Sequence, residues 1–521
     1  MLLISLLVAF LVSILFVPAM RRFAIKVGLV DHPDRDRKLH QRPVAVAGGV
    51  AVYFAVLTSF LVIEWFDQNL TGSTLLGGGS RRWMVFFGAS AAIMVVGLID
   101  DVWSLRGRQK LLFQVFIAMI IVGAGTRAPG IELLGFRVEL GALAIPVSVL
   151  YLLVCINALN LIDGADGMAT TVGGLICGSI GLLVYFSYGI TAEAVAAICL
   201  CGALGGFLVF NRPPATIFLG DAGSMMVGLM VGMLSMWCSL KESTVISAAP
   251  IAILVLPLFD SSAAIVRRWL TGRSLYTTDR GHLHHLLHER FGPSMMLWVV
   301  ASLCMMSSLI AILAVQLDQE WLAPTGAALV LVGLIVTRSF GYAECRLLAG
   351  KCRNLVKSFM MRADQCDSET LSQHIQTQGD GCWDVVWEPL VAFAKVNGFA
   401  SVRMDANLSW LQEGYHATWQ SVRLPDKAFQ SRVRIPLFVQ RRGEEELVPI
   451  GQVDVIANAN ETMHERLSDF LTHASELQTQ VQELIDRMEH RLEPSATDAR
   501  PLIVADTSPD SADVAEVSVT S

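Results

Sequence analysis

Asn157, Asn160, Asp163 and Asp166 follow one another at intervals of three in the stretch "NALNLIDGADGMA", directly after the apolar run "LAIPVSVLYLLVCI". Such spacing keeps four polar side chains on one slowly drifting helix face. Gly164 and Gly167 then allow the backbone to break and approach a ligand closely. A polar turn between two apolar helices would explain the amides and glycines. It would not explain carboxamides and carboxylates in line with almost no base beside them.

Three further stretches have the same character. Asp100 and Asp101 close an apolar run in "VVGLIDDVWSLRGRQK". Neighbouring helical residues differ by about 100°, so only one of them can point along a given groove. Acids at a helix C-terminus also oppose the macrodipole, which calls for a compensating cation. Asp221 stands between Gly220 and Gly223 in "NRPPATIFLGDAGS", where an N-cap is the plain reading. The stretch "TTDRGHLHHLLHERFG" holds Arg280, His282, His284, His285 and His288. His284 and His288 have zinc-like helical spacing, but with no cysteine near and Arg280 and Arg290 alongside, a phosphate suits the cluster better. Taken with Arg106, Arg108 and Lys110, the set combines hard oxygen donors with bases. That chemistry suits Mg²⁺, with Mn²⁺ as an alternative, and a diphosphate. No GxxxxGK[ST] loop is present, which excludes an ordinary P-loop ATPase.

The elements that must carry these residues are membrane helices. The chain has 521 residues, 53% hydrophobic and only 16% charged, with a mean hydropathy of +0.53. Soluble domains carry nearer a quarter charged residues. Apolar runs at about 1–20, 46–66, 83–99, 111–125, 142–159, 168–187, 192–210, 222–240, 245–266, 295–315 and 322–339 predict about eleven spans. The first lacks a basic residue before its apolar run and has a basic pair after it, unlike a secretory signal, so it reads as a retained helix with its N-terminus outside. The loops then placed inside carry about sixteen Lys or Arg against about five outside, and all the motif-like sequence lies in those inner loops. The ten cysteines are scattered and form no paired CxxC sets, which argues against a zinc framework or a disulfide scaffold.

In this order and spacing, "GLIDD", "NALNLIDGADGMA", "FLGDAGS" and "DRGHLHH" resemble the polyprenyl-phosphate N-acetylhexosamine-1-phosphate transferases, glycosyltransferase family 4, and most of all the bacterial undecaprenyl-phosphate GlcNAc-1-phosphate transferases. The resemblance covers roughly residues 20–340. It implies transfer of a sugar 1-phosphate from a UDP-sugar to undecaprenyl phosphate, with release of UMP, at the cytoplasmic face of a bacterial inner membrane. It implies Asp221 and Asn160 as Mg²⁺ ligands and a catalytic group of Asp100, Asp101, Asp163 and Lys110. Asn157, Asp166, Arg280, His282, His284 and His285 become the substrate-binding set, with Asp166 near the uracil and the histidine loop over the sugar diphosphate.

The expected architecture is an all-α polytopic membrane domain (1–345), a soluble cytoplasmic α/β domain (352–492) and a disordered tail (493–521). The second domain reads as a helix at about 383–397, four strands and a long helix. That order is reminiscent of GAF-like folds and suggests a regulatory or dimerising module. Leu467, Phe470, Leu471, Ala474, Leu477, Val481, Leu484, Ile485 and Met488 form a stripe on its last helix, whose partner is either the domain's own sheet or a second copy of the chain. The rival readings are a transporter, whose charges should lie nearer mid-bilayer, a membrane sensor with a degenerate core, and the same chemistry with UDP-GalNAc or UDP-muramoyl-pentapeptide.

Overall fold

The structure is a computed structural model that describes residues 1–31, 43–72, 74–75, 79–133, 136–240, 245–270, 281–342, 344–346, 348–349, 352, 373–378, 383–408, 411, 413–421, 430–440, 447–458 and 463–492. The chain divides into two compact units near residue 366.

Eight helices among the described residues are long and apolar enough to cross a membrane. They are α1 (Leu2–Val27), α2 (Gly48–Thr71), α3 (Ser80–Trp103), α5 (Ala144–Ile162), α6 (Met168–Tyr188), α7 (Ala192–Asn211), α8 (Gly220–Leu240) and α12 (Pro293–Gln316). The other three expected spans are shorter helices. α4 covers Gly107–Gly123 and α13 covers Leu322–Val336. The expected span 245–266 breaks into α9 (Ala248–Ile253) and α10 (Val255–Leu270). Pro257 has no N–H for the Ile253 carbonyl, and its ring crowds that turn, so one continuous helix is costly there. A short helix, α11 (Leu283–Phe291), leads into α12.

Of the eight, α8 is the most enclosed and α1 the least. Small residues let the neighbours of α8 come very close. A Cβ on Gly97 of α3 would overlap the Ala222 backbone, and one on Gly49 of α2 would overlap Gly223. Such small-residue contacts replace the hydrophobic drive that is missing between helices in lipid. They bring the ends of α2 and α3 onto the first turn of α8, where Asp221 sits.

The first unit is not purely helical. β1 (Val30–Asp31) pairs antiparallel with β2 (Val44–Val46), and β2 pairs parallel with β5 (Ile217–Phe218). These few residues tie the start of α2 to the start of α8. A second small sheet joins β3 (Gly130–Leu133), β4 (Phe136–Glu139) and β6 (Val245–Ile246).

The second unit is a five-stranded sheet in the order β10-β11-β8-β9-β7. Its strands are β7 (Gln373–Gln378), β8 (Ser401–Leu408), β9 (Glu413–Gln420), β10 (Gln430–Gln440) and β11 (Leu447–Asn458), with helices α14 (Asp384–Val396) and α15 (Met463–Leu492). Phe470, Leu477, Val481, Leu484, Ile485 and Met488 share one core with Val402, Met404 and Val453. The stripe therefore packs on the unit's own sheet. The side chains of Leu467, Leu471 and Ala474 lie outside the described residues, as does the expected tail 493–521. Gln482 of α15 accepts the Gln440 N–H at 2.8 Å and donates to the Gln440 carbonyl at 2.8 Å. Gln478 donates to the Phe438 carbonyl.

Candidate active site

Asp100 and Asp101 sit in the last turn of α3, which ends at Ser104 in a left-handed conformation (φ 49°). The turn aims them apart. Asp100 accepts the Leu105 N–H at 2.7 Å through one oxygen and the Lys110 ammonium at 2.8 Å through the other. Asp101 faces α8 and accepts the Asp221 N–H at 3.0 Å and the Ala222 N–H at 3.2 Å. Both Asp101 oxygens are thus engaged by the first turn of α8, where two backbone donors and the helix dipole favour an anion. The cation that Asp100 calls for is Lys110, one turn into α4.

Lys110 is the hub. Its ammonium also donates to Asp221 at 2.6 Å and to the Asn160 carbonyl oxygen at 3.3 Å. The Asn160 amide donates to Asp221 at 2.6 Å and to the Ser224 hydroxyl at 2.9 Å. Four helices therefore meet in one hydrogen-bonded set: α3, α4, α5 and α8. The set holds three carboxylates against one ammonium, so it is built for further positive charge. The donors are hard oxygens, which fit Mg²⁺ or Mn²⁺ rather than zinc, with Asp221 and Asn160 as the adjoining pair. Among the described residues no group of three or more His, Cys, Asp or Glu is gathered as a metal cage.

The other polar residues of the opening stretch separate. Asn157 lies one turn deeper and donates to Gln114 of α4 at 2.8 Å, and to its own helix at Leu153. It links two helices. Asp163 caps α5. Burial, then the charges of Asp221, Asp101 and Asp166, raise its carboxyl well above the usual range. Asp166 accepts the Ala215 N–H at 2.9 Å. Asn211 supports the same junction, taking a bond from Thr170 at 2.7 Å and donating to the Ile217 carbonyl at 2.9 Å. Asp166 thus fastens the turn after α5 to the loop before α8.

The histidine segment approaches the same turn. His284 is 3% exposed, and neither of its ring nitrogens has a hydrogen-bond partner among the described residues. Its ring lies stacked near His282, with centroids 5.7 Å apart, and against His285 at 4.3 Å. A Cβ on Gly164 would overlap the His284 imidazole. The close approach that Gly164 permits is to this side chain. Burial, then the neighbouring His285, push the His284 pKa down to about 3, so the ring is neutral at physiological pH. Arg280 lies outside the described residues.

Sequence reasoning missed Gln114, Ser224 and Asp260. Gln114 and Asp260 were legible as polar groups inside apolar runs, which are costly unless they have a task. Ser224 gave no such signal, since hydroxyls are common in membrane helices.

The family model described as "Glycosyl transferase family 4" matches residues 83–239, a span that contains Asp100, Lys110, Asn160 and Asp221. The chain is 33% identical over 291 residues to the probable undecaprenyl-phosphate N-acetylglucosaminyl 1-phosphate transferase of Bacillus subtilis, covering 54% of this chain and 77% of that protein. It is 32% identical to the decaprenyl-phosphate N-acetylglucosaminephosphotransferase of Mycolicibacterium smegmatis, with coverages of 54% and 75%. Against the undecaprenyl-phosphate alpha-N-acetylglucosaminyl 1-phosphate transferase of Escherichia coli K12 it is 26% identical, with coverages of 68% and 93%. With a relative above 30% identity matched over three quarters of its length, and the polar set of four helices inside the matched region, the chain belongs to glycosyl transferase family 4.

Proposed function

We propose that the protein transfers a sugar 1-phosphate, GlcNAc-1-phosphate, from a UDP-sugar to undecaprenyl phosphate, forming a lipid-diphosphate sugar and UMP. The observation that carries this reading is Lys110. One ammonium is hydrogen-bonded to acids or amides from three other helices, at a bundle end where a lipid phosphate and a soluble nucleotide can meet. In the reaction a lipid phosphate oxygen attacks the phosphorus that bears the sugar, and the bond from that phosphorus to the UMP oxygen breaks. Such transfers are driven mainly by alignment and charge stabilisation.

Lys110 is placed to exchange its carboxylate partners for phosphate oxygens. Asp100 orients the ammonium; removing a proton from the nucleophile is superfluous, because a phosphate monoester is largely dianionic near neutral pH. Asp101 fixes the first turn of α8 and therefore Asp221. Asp221 and Asn160 would hold Mg²⁺, which supplies positive charge against the phosphate on the UMP side. His284 approaches the 163–167 turn at Gly164, and with His282 and His285 it would cover the donor, with Asp166 toward the uracil.

The reading puts the site and the second unit on the cytoplasmic side of a bacterial inner membrane, on the Lys and Arg bias of the loops. The second unit, with its GAF-like element order, is then a control module and the candidate surface for pairing with a second copy. The test is UMP release from UDP-GlcNAc, UDP-GalNAc and UDP-muramoyl-pentapeptide with undecaprenyl phosphate in detergent. Release with UDP-GlcNAc above the others is expected. A preference for another UDP-sugar corrects the substrate, and none with any of them removes the reaction.

A further inference from the structure

Asp260 belongs to none of the four motifs. It lies on α10, is 1% exposed, and uses both oxygens on the segment that carries the histidines. One oxygen is 3.0 Å from Nδ1 of His282, and the other accepts the Leu283 N–H at 2.8 Å. α10 grips the segment a second time through Arg267, whose guanidinium packs beneath Gly281; a Cβ there would fall 2.7 Å from its Nη2. Arg267 is itself ion-paired to Glu344. A buried acid is costly unless its partners need it.

We propose that Asp260 is a positioning residue for His282. It acts through that ring and does not touch the substrate. An ionised carboxylate only accepts, so Nδ1 must be the protonated nitrogen, and Nε2 is left to carry the ring's chemistry. The same bond fixes the ring plane and makes Nε2 a better acceptor, as orienting carboxylates do behind functional histidines. The inference rests on the reading that this loop meets the UDP-sugar.

The competing role is a plain helix cap, since the Leu283 N–H opens α11. Asp260→Asn separates the two. The Asn carbonyl oxygen still accepts the Leu283 N–H, but its NH₂ group now faces Nδ1 and drives the proton to Nε2. Positioning predicts a loss of roughly 100-fold in kcat/KM for the UDP-sugar in Asp260→Asn, carried by KM, with an unchanged melting temperature. A cap alone predicts a near-normal kcat/KM, which would overturn the proposal. A double-mutant cycle supplies the second arm. Asp260→Asn added to His282→Ala should cost nothing further, whereas multiplied losses would show that Asp260 does not act through His282. The tautomer itself is read without turnover by ¹⁵N-histidine NMR, with His282→Ala assigning the signal. Nδ1–H in the wild type and Nε2–H in Asp260→Asn are expected, and the same tautomer in both would overturn the proposal. A wild type that releases no UMP removes the proposed reaction instead, and the NMR arm still decides the role of Asp260.

Discussion

The acid set around Lys110 and the histidine set around Asp260 are built differently. The first is charged and unbalanced, and its members stand on four long helices whose packing places them. The second is held by Asp260 and Arg267 of α10, includes a neutral imidazole with no hydrogen-bond partner among the described residues, and rides on the short helix α11. A site fixed by helix packing comes preformed, whereas one hung from two side chains of a neighbouring helix is more easily displaced. The contrast predicts that losses at the first cluster fall on the chemical step, and losses at the second on binding the donor.

Asp221→Ala should be the most damaging change. It removes the partner shared by Lys110 and Asn160, and turnover should drop by about 10²–10³-fold, the range for deleting a preorganised electrostatic group. Near-normal turnover in a folded Asp221→Ala protein would sink the assignment. Asp101→Ala should differ in kind from Asp100→Ala. It strips the first turn of α8 of its acceptor and should cost about 1–2 kcal/mol in stability, seen as a lower melting temperature. Asp100→Ala should leave melting nearly unchanged while slowing turnover. Identical behaviour of the two would erase the division between them.

Gly164→Ala tests the second cluster. The added methyl displaces the His284 ring, and donor KM should rise about tenfold, equal to about 1.4 kcal/mol of lost binding, with kcat far less affected. An equal fall in kcat would place the histidines in the chemical step. His284 also sets an acid sensitivity. Its folded-state pKa, about 3, lies below the ordinary 6.5, so the unfolded chain binds the extra proton and stability falls as pH drops below 6.5. The slope is at most about 1.4 kcal/mol per pH unit. Asp163 acts in the opposite sense. Its raised folded-state pKa stabilises at low pH and is lost as pH climbs above 3.8 toward that raised value. His284→Gln should therefore flatten the loss of melting temperature between pH 6.5 and 5, and an unaltered slope would show that His284 does not set it. The smallest effect is expected from truncation after Lys351, which should leave basal turnover in detergent. Loss of activity in an inserted, folded truncate would tie the second unit to the site.

The clusters also differed in how far the sequence disclosed them. Asp100, Asp101, Asn160 and Asp221 announce themselves because acids and amides at the ends of apolar runs have no cheap explanation. Their partners are another matter. That Lys110 would meet Asp221, and that Asp101 would turn away to hold α8, depends on contacts between distant helices that no local spacing encodes. Gly164 was legible as a close approach but not as an approach to His284. The break at Leu254 follows from Pro257, a local signal outweighed by the hydropathy of the surrounding run. In the second unit, alternating apolar residues gave β8 to β11, while β7, "QHIQTQ", has no apolar alternation to betray it.

Gln478 and Gln482 have a consequence for assembly. β10 is an outer strand of its sheet, eleven residues long, and such a rim ordinarily invites a strand from another molecule. Here the glutamine amides of α15 occupy the outward carbonyls of Phe438 and Gln440, imitating the next strand. Pro436, two residues earlier and in step with them, offers no N–H to an incomer. Arg432, further along the same strand, is an exposed charge. That stretch of the edge is closed to an added strand, because its outward carbonyls are already taken.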